Sequence, residues 1–348
     1  MDTTGKNIRE ASLPEITTFL TAHGEKAFRA KQIWQWIWQR GVTTFEEMSN
    51  LSKTTRELLA AHYYFDSLTI HRTQTATDGT TKTAWRLHDG EIIESVLIPG
   101  NQKFTVCVSS QVGCKLGCKF CATGTLGFKR NLSPGEIFEQ VIAARKSAEA
   151  QGISLSNIVF MGMGEPLLNY ENVLQAIERL TAEDGLAMSP YRITVSTAGI
   201  PDKIRQLADD GVRFNLAVSL HAAKETTRTA LMPVNKAYPL KDIAESLKYF
   251  VGKTGTRPTF EYLLLKDIND SLEDAKALAL YCRQFPIKIN LIEYNPVEGS
   301  GFRHSPDKHR DEFVKYLEGC NMVVHVRHSK GQDIDAACGQ LAGRPATP

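Results

Sequence analysis

A chain of 348 residues, 42% of them hydrophobic and with a formal net charge of +2, is long enough for one large domain or a barrel with an accessory piece. No run approaches the roughly 20 apolar residues of a membrane span, and the opening Met-Asp-Thr-Thr-Gly-Lys is no apolar leader. Seven cysteines, odd in number and clustered, argue against a disulfide framework and for a reducing compartment, the cytoplasm, with metal or catalytic use.

Residues 1–85 read as an N-terminal helical accessory domain with the start of a β extension. Ser12, two residues ahead of Pro14, predicts a capped helix. A second helix spans 26–40, with Phe28, Ile33, Trp34 and Ile37 recurring on one face and Lys26, Arg29 and Lys31 elsewhere. Trp34, Trp36 and Trp38 are read as core, and the basic residues beside them leave a nucleic-acid contact open. A third helix is expected over 55–63. Alternation then predicts strands at 68–75, 81–87 and 91–98, joined by hairpin turns at Asp78-Gly79 and Asp89-Gly90.

From about residue 100 to the end, within a second unit taken as 86–348, strand-like and helix-like runs alternate. Strands are expected at 104–110, 156–163, 191–198, 213–221, 258–265 and 288–295. Helices fall at 134–150, 169–183, 201–210, 240–252, 271–285 and 306–319. Six such units imply parallel strands with right-handed crossovers. The expected fold is therefore α/β, a partial (β/α)6 barrel with its site at the carboxyl ends of the strands.

The first of these strands runs into Gln111-Val-Gly-Cys-Lys-Leu-Gly-Cys-Lys-Phe-Cys-Ala-Thr-Gly124. Cys114, Cys118 and Cys121 are separated by three and then two residues, so three thiolates can converge on one small inorganic core. A cubane iron–sulfur cluster normally takes four cysteines. Three leave one iron open, and an open coordination position is where a metal site does chemistry. Zinc is the alternative, because thiolate loops also suit it. Zinc knuckles usually pair one C-x2-C with another, whereas this motif stands alone with Phe120 before its last cysteine.

Other polar residues gather at the same rim. Met161-Gly-Met-Gly-Glu-Pro-Leu-Leu168 follows the second strand, its glycines read as admitting a ligand close to the backbone and Glu165 as a carboxylate for a cationic amino group. Ser196-Thr197 ends the third strand, Ser219-Leu-His221 the fourth and Asn295-Pro296 the sixth. Such a rim fits a nucleoside-bearing amino acid. Between Asn101 and Gly135 there are five basic residues (Lys103, Lys115, Lys119, Lys129, Arg130) and no acidic one, either a solvated loop or a rim for a phosphate-bearing substrate. Near the end, a strand at 322–327 leads into a Gly-flanked polar segment carrying Cys338, a reasonable setting for a reactive thiol. Cys107 reads as a core cysteine, and Cys282 and Cys320 as structural.

The cysteine loop with its aromatic residue resembles the radical S-adenosylmethionine superfamily. Across nearly its whole length the chain resembles the RlmN family of dual-specificity RNA methyltransferases. The likeness rests on Val106-Cys-Val-Ser-Ser-Gln-Val-Gly-Cys114, Cys118-Lys-Phe-Cys-Ala-Thr-Gly124, Gly127-Phe-Lys-Arg-Asn-Leu132, Gly162-Met-Gly-Glu-Pro-Leu-Leu-Asn169, Ser219-Leu-His-Ala222 and Asp333-Ile-Asp-Ala-Ala-Cys-Gly-Gln-Leu341. It implies methylation of carbon 2 of one adenosine in 23S ribosomal RNA and of the adenosine beside the anticodon in tRNAs. Cfr-type relatives methylate carbon 8 instead and have alanine where this chain has Pro166, which favours carbon 2. Glu293-Tyr294 departs from the Pro-aromatic pair often found before the sixth-strand Asn-Pro.

By the same resemblance, Cys114, Cys118 and Cys121 hold a 4Fe-4S cluster, and Gly164, Glu165, Ser196, Ser219, Leu220, His221 and Asn295 contact S-adenosylmethionine, two molecules per turnover. Cys338 becomes S-methylcysteine and then carries the RNA covalently, Cys107 releases it through a transient disulfide with Cys338, and Glu94 accepts the proton from carbon 2. An electron-poor ring carbon cannot attack a sulfonium methyl directly, whereas a thiolate can, and a cofactor-derived radical then supplies the harder step. The expected partners are 23S rRNA, tRNA and a reduced flavodoxin-type electron donor, with no membrane, and the chain is expected to be a monomer. From a different class, a zinc-stabilised RNA-binding protein without catalysis is the rival.

Overall fold

The structure, a computed structural model, describes residues 5–343, so the opening residues read above for a leader lie largely outside it. In the N-terminal part, β1 (Lys6–Asn7) is followed by α1 (Leu13–Ala22), α2 (Phe28–Gln35), α3 (Lys53–His62) and β2 (Tyr63–Tyr64), which pairs in parallel with β1. Helix α1 starts where the sequence places it. Ser12 Oγ accepts from Glu15 N at 3.3 Å, and the Glu15 carboxylate accepts from Ser12 N at 2.6 Å, a closed capping box.

The core face of α2 differs from the expected one. The helix widens into a π-turn over Trp36–Arg40 that ends at Gly41, whose φ is 63°. The extra residue rotates the following side chains, so Trp38 joins Ala30, Ile33 and Ile37 inside, while Phe28 is 52% exposed. Trp38 meets Phe138 edge-on at 4.9 Å. Trp34 and Trp36 are only partly buried, and Arg40 lies over the Trp36 ring.

Three antiparallel strands follow: β3 (Thr69–Thr75), β4 (Thr81–Arg86) and β5 (Ile92–Gly100). They pair onto β6 (Lys103–Cys107), where the parallel region begins. After β6 come β7 (Gln111–Gly113), α4 (Ala122–Thr125), β8 (Phe128–Asn131), α5 (Pro134–Glu149), β9 (Ser154–Phe160), α6 (Tyr170–Thr181), β10 (Ile193–Thr197) and α7 (Pro201–Asp209). The chain continues through β11 (Asn215–Ser219), α8 (Glu225–Leu231), α9 (Leu240–Thr254), β12 (Thr259–Leu264), α10 (Leu272–Cys282), β13 (Lys288–Glu293), α11 (Asp307–Gly319) and β14 (Val323–Arg327). One ten-stranded sheet runs β14-β13-β12-β11-β10-β9-β6-β5-β4-β3. The six expected barrel strands are β6 and β9 to β13, and β14 adds a further parallel strand on β13. Among the described residues β14 and β6 do not pair, so the barrel is open. No helix among them is long and apolar enough to cross a membrane.

The N-terminal helices are tied to the barrel through α5. The buried Arg9 guanidinium pairs with Glu139 and donates to Val42 O at 2.8 Å, while Glu139 Oε2 accepts from Leu68 N at 2.6 Å. Removing one partner of a buried pair strands the other charge. Arg9→Met is therefore expected to lower stability by roughly 3–5 kcal/mol, and adding Glu139→Leu to recover part of that loss. Urea unfolding followed by tryptophan fluorescence checks both.

Candidate active site

The cysteine loop is an excursion clamped at its base. Strands β7 and β8 pair antiparallel, and Cys114 N donates to Gly127 O at 2.8 Å. Gly113 is required there, because at its φ of 71° an added Cβ would sit 1.9 Å from Gly127 O. Further along, Cys121 N donates to Cys118 O at 3.2 Å, and Lys119 N reaches Leu231 O at 3.0 Å. An apolar cluster of Phe120, Leu231, Met232, Leu263, Leu265 and Tyr294 holds the loop against the barrel rim.

The result is a cavity of about 150 Å³ lined by Cys114, Cys118 and Cys121 together with Gly164, Glu165, Ser196, Ser219, His221 and Cys338. Burial pushes the Cys114 thiol up to about 12 and raises Cys118 as well, so the bare loop disfavours thiolates. A bound metal reverses that preference by supplying the positive charge.

Glu165 is buried. Its Oε1 accepts from Leu167 N at 3.0 Å and its Oε2 from Ala198 N at 2.7 Å, which bridges the loops after β9 and β10. Burial outweighs those hydrogen bonds and pushes its carboxyl up to about 7. The glycines beside it serve the chain itself as much as any ligand. A Cβ on Gly162 would lie 2.7 Å from Val108 O, and one on Gly164 2.6 Å from Gln111 Cβ. His221 holds φ at 56° and accepts from Leu263 N at its Nδ1, 3.0 Å away. Burial, with Arg228 nearby, pushes its imidazole down to about 3, so it stays neutral with its proton on Nε2.

Cys338 reaches this cavity because residues 331–343 fold back over it. Ala122 N donates to Gly339 O at 2.7 Å and Thr123 Oγ1 to Leu341 O at 2.6 Å. Cys338 is exposed to the cavities it lines, and burial among protein groups, with Glu261 adding to it, pushes its thiol up to about 11. A second cavity of about 300 Å³ lies on its other side, lined also by Cys107 and rimmed by Arg327, His328 and Lys330. Cys107 and Cys338 are free thiols here, and each lines that second space.

Three expected residues stand apart. Glu94, on β5, is buried. Its Oε2 accepts from Ala342 N at 2.8 Å and Gly343 N at 3.2 Å, its Oε1 lies 3.7 Å from Lys82 Nζ, and it lines a separate polar cavity. Asn295 is buried outside the cavity lining and donates to Cys338 O at 3.4 Å. The Leu220 side chain is buried, and its carbonyl accepts from Arg228 Nε at 3.2 Å.

Sequence reasoning missed two charged residues here. Arg228, fully buried, also donates to Ala198 O at 2.6 Å and Asn235 Oδ1 at 2.5 Å, so it joins the ends of β10 and β11. Glu261 lines both cavities, and its signal was a lone carboxylate within the apolar run Phe260-Glu-Tyr-Leu-Leu264. The basic loop is also less free than its composition suggests. Lys129 pairs with Glu91, and Arg130 with Asp89 and Glu136. Lys103, Lys115 and Lys119 have no acidic partner among the described residues.

Comparison with known proteins agrees with this geometry. Residues 6–64 match the family described as the ribosomal RNA large subunit methyltransferase N-terminal domain, and residues 108–279 match the radical SAM superfamily. A probable dual-specificity RNA methyltransferase RlmN from Flavobacterium johnsoniae is 48% identical over 98% of each chain. The dual-specificity RNA methyltransferase RlmN of Nitratidesulfovibrio vulgaris is 44% identical, covering 96% of this chain and 94% of that protein. The crystal structure of a radical SAM methyltransferase from Sphaerobacter thermophilus superposes with a TM-score of 0.93 at 40% identity, over 97% of this chain and 100% of that one. The chain belongs to the RlmN family.

Radical SAM enzymes of the RlmN family use a 4Fe-4S cluster and S-adenosylmethionine, and the donor set fits that use. Tetrahedral zinc would hold its sulfurs about 3.8 Å apart. Cys114, Cys118 and Cys121 do not form a set of ligand atoms all within 4.8 Å of one another, so at least one pair of their sulfurs stands farther apart than that. A sulfide-bridged core accommodates that wider spread, and with the radical SAM match the zinc reading is set aside.

Replacing any one of Cys114, Cys118 or Cys121 by Ala is expected to reduce bound iron and acid-labile sulfide at least tenfold after anaerobic reconstitution. Colorimetric iron and sulfide assays read this out directly. Glu165 gives a pH signature in the apoprotein. With its folded value near 7 against an unfolded value near 4.5, the folded state holds the extra proton between those limits. Stability then falls as pH rises through that window, by up to roughly 3 kcal/mol. Urea midpoints of Glu165→Gln measured from pH 4.5 to 7 should lose that slope, whatever their absolute level.

Proposed function

We propose that this chain methylates carbon 2 of adenosine in RNA, in 23S rRNA and beside the tRNA anticodon, with Cys338 as the residue that carries the methyl group. The observation that supports it best is the meeting of Cys338 with the three loop cysteines in one cavity, and with Cys107 in the next. The cluster with S-adenosylmethionine, once bound, supplies one-electron reduction and hydrogen-atom abstraction. Cys114, Cys118 and Cys121 hold that cluster, and Glu165 and the polar rim at Ser196, Ser219 and His221 orient the coenzyme. Asn295 acts through the Cys338 carbonyl, which it fixes.

Cys338 loses its proton and takes a methyl group from the sulfonium. After the base is attached, Cys107 attacks the Cys338 sulfur. A sulfur–sulfur bond forms as the bond from Cys338 to the departing carbon breaks, and that carbon keeps the electron pair and collects a proton. Glu94, behind the Cys338 segment, reads best as a proton acceptor that comes into reach once the segment moves to admit RNA. The basic rim at Arg327, His328 and Lys330, together with the N-terminal helices, holds the RNA backbone. The adenosine must leave its stack to reach Cys338. The chain works as a cytoplasmic monomer and draws electrons from a flavodoxin-type donor.

Mass spectrometry of nucleosides after anaerobic incubation with S-adenosylmethionine, reductant and ribosomal RNA should detect 2-methyladenosine and no 8-methyladenosine. Cys338→Ala should abolish the product. Cys107→Ala should leave RNA cross-linked to Cys338, visible as a slow-migrating protein band that nuclease treatment collapses. Free turnover by Cys107→Ala without an adduct would remove its releasing role.

A further inference from the structure

The wall between the two cavities holds a carboxylate with one oxygen turned to the open space. Glu261 sits in the middle of β12, in register with Ser219 on β11 and Asn290 on β13, so the three share the inner face of the barrel. It is 5% exposed, and no cation lies within salt-bridge distance among the described residues. Asn290 Nδ2 donates to its Oε1 at 2.8 Å, and Oε2 receives no hydrogen bond from the described residues. Oε2 therefore faces the cavity space and is available to a ligand that brings an N–H or O–H. The same side chain lines both the cluster cavity and the Cys107 cavity, each of which Cys338 also lines.

An adenine offered to Cys338 through carbon 2 presents its exocyclic amino group on the same Watson–Crick edge, two ring atoms away. Enzymes that act on an extruded base read that edge by hydrogen bonds. Burial raises the Glu261 carboxyl, and Arg327 and the Asn290 hydrogen bond oppose it. In its ionised form the group only accepts, so it pairs with the amino group of adenine and repels the carbonyl oxygen of hypoxanthine or guanine. We propose that Glu261 is the specificity-determining residue for the target base, accepting a hydrogen bond from the adenine 6-amino group while Cys338 faces carbon 2. This rests on the RNA adenosine reading above and names the residue that reads the base.

Asn290 makes the test directional. In Glu261→Gln the amide oxygen keeps the hydrogen bond from Asn290, which turns the amide NH₂ to the position of Oε2. The cavity then offers a donor where it had an acceptor, which suits inosine and not adenosine. Sites built around one buried hydrogen bond reject the wrong partner by large factors.

The experiment uses the full-length, reconstituted protein and short RNA hairpins with adenosine, inosine or purine riboside at the target position. Two readouts run in parallel: methylation of Cys338 without RNA, by intact-protein mass spectrometry, and methyl transfer to each hairpin, by nucleoside mass spectrometry. For Glu261→Gln the expected result is Cys338 methylation within twofold of the unaltered protein, transfer to adenosine lowered about 100-fold, and preference shifted toward inosine by at least that factor. The unaltered protein should reject purine riboside, which lacks the amino group, a measurement that stands even if the variant fails to fold. Unchanged adenosine transfer by Glu261→Gln, or ready use of purine riboside by the unaltered protein, overturns the proposal and leaves the methyltransferase reading intact. A parallel loss of Cys338 methylation also overturns it, because Glu261 would then hold a hydroxyl of the coenzyme. Failure of the unaltered protein to modify the adenosine hairpin while methylating Cys338 overturns the adenosine reading, and this inference with it.

Discussion

Residues 331–343 are held back against the barrel by hydrogen bonds at both ends and in the middle, and the site exists because of that closure. Gly331 N donates to Asp78 Oδ2 at 3.0 Å, and Lys82 Nζ to Asp335 O at 3.1 Å. Ala122 and Thr123 of the cysteine loop bind the carbonyls of Gly339 and Leu341, and Glu94 accepts from the two amides that follow. These partners belong to the antiparallel extension and the cysteine loop, and Asn295 and Pro296 after β13 add hydrogen bonds to Cys338, Gln332 and Gln340. Without the extension, a partial barrel would carry its three thiols at an open rim. With it, Cys338 is pressed between two cavities, one on the side of the metal ligands and one on the side of Cys107.

Such a closure also limits what can happen there. The segment carries a thiol that burial pushes up to about 11, so at neutral pH it waits as a thiol. Glu94 lies behind the segment and Glu261 in front of it, two buried carboxylates that a static view assigns to different cavities. Two backbone amides and the Lys82 ammonium hold Glu94, whereas Glu261 accepts only from the Asn290 amide. This asymmetry separates a residue that anchors the segment in the resting protein from one poised toward a ligand.

Much of this was readable in the sequence, for physical reasons that differ from element to element. The barrel strands and their helices were legible because alternate burial imposes its period on the residues, and α1 because Ser12 and Glu15 close a local capping box. The cysteine loop was legible because ligand spacing is a local property. Long-range facts were not. The π-turn at Trp36–Arg40 leaves no periodic mark, so Trp34, Trp36 and Trp38 were read alike as core, whereas Trp38 alone of the three is buried. Phe28, at the start of α2, is exposed despite its place in the apolar period. The neutralisation of Lys129 and Arg130 depends on Glu91 and Asp89 from a distant hairpin. The environment of Glu94 depends on the far end of the chain, and the glycines of Gly162-Met-Gly164 proved to admit the chain's own backbone at Val108 and Gln111. Arg228 could not be found from spacing, since its partners are carbonyls, which every residue has.

The central claim is that Cys114, Cys118 and Cys121 would hold a four-iron core with one iron left without a protein ligand, open to the coenzyme. Mössbauer spectroscopy of the protein reconstituted anaerobically with ⁵⁷Fe, before and after adding S-adenosylmethionine, tests it most directly. The account predicts one iron in four with its own signal, and a change confined to that signal when the coenzyme binds. Four irons that stay equivalent and do not respond to the coenzyme would contradict it.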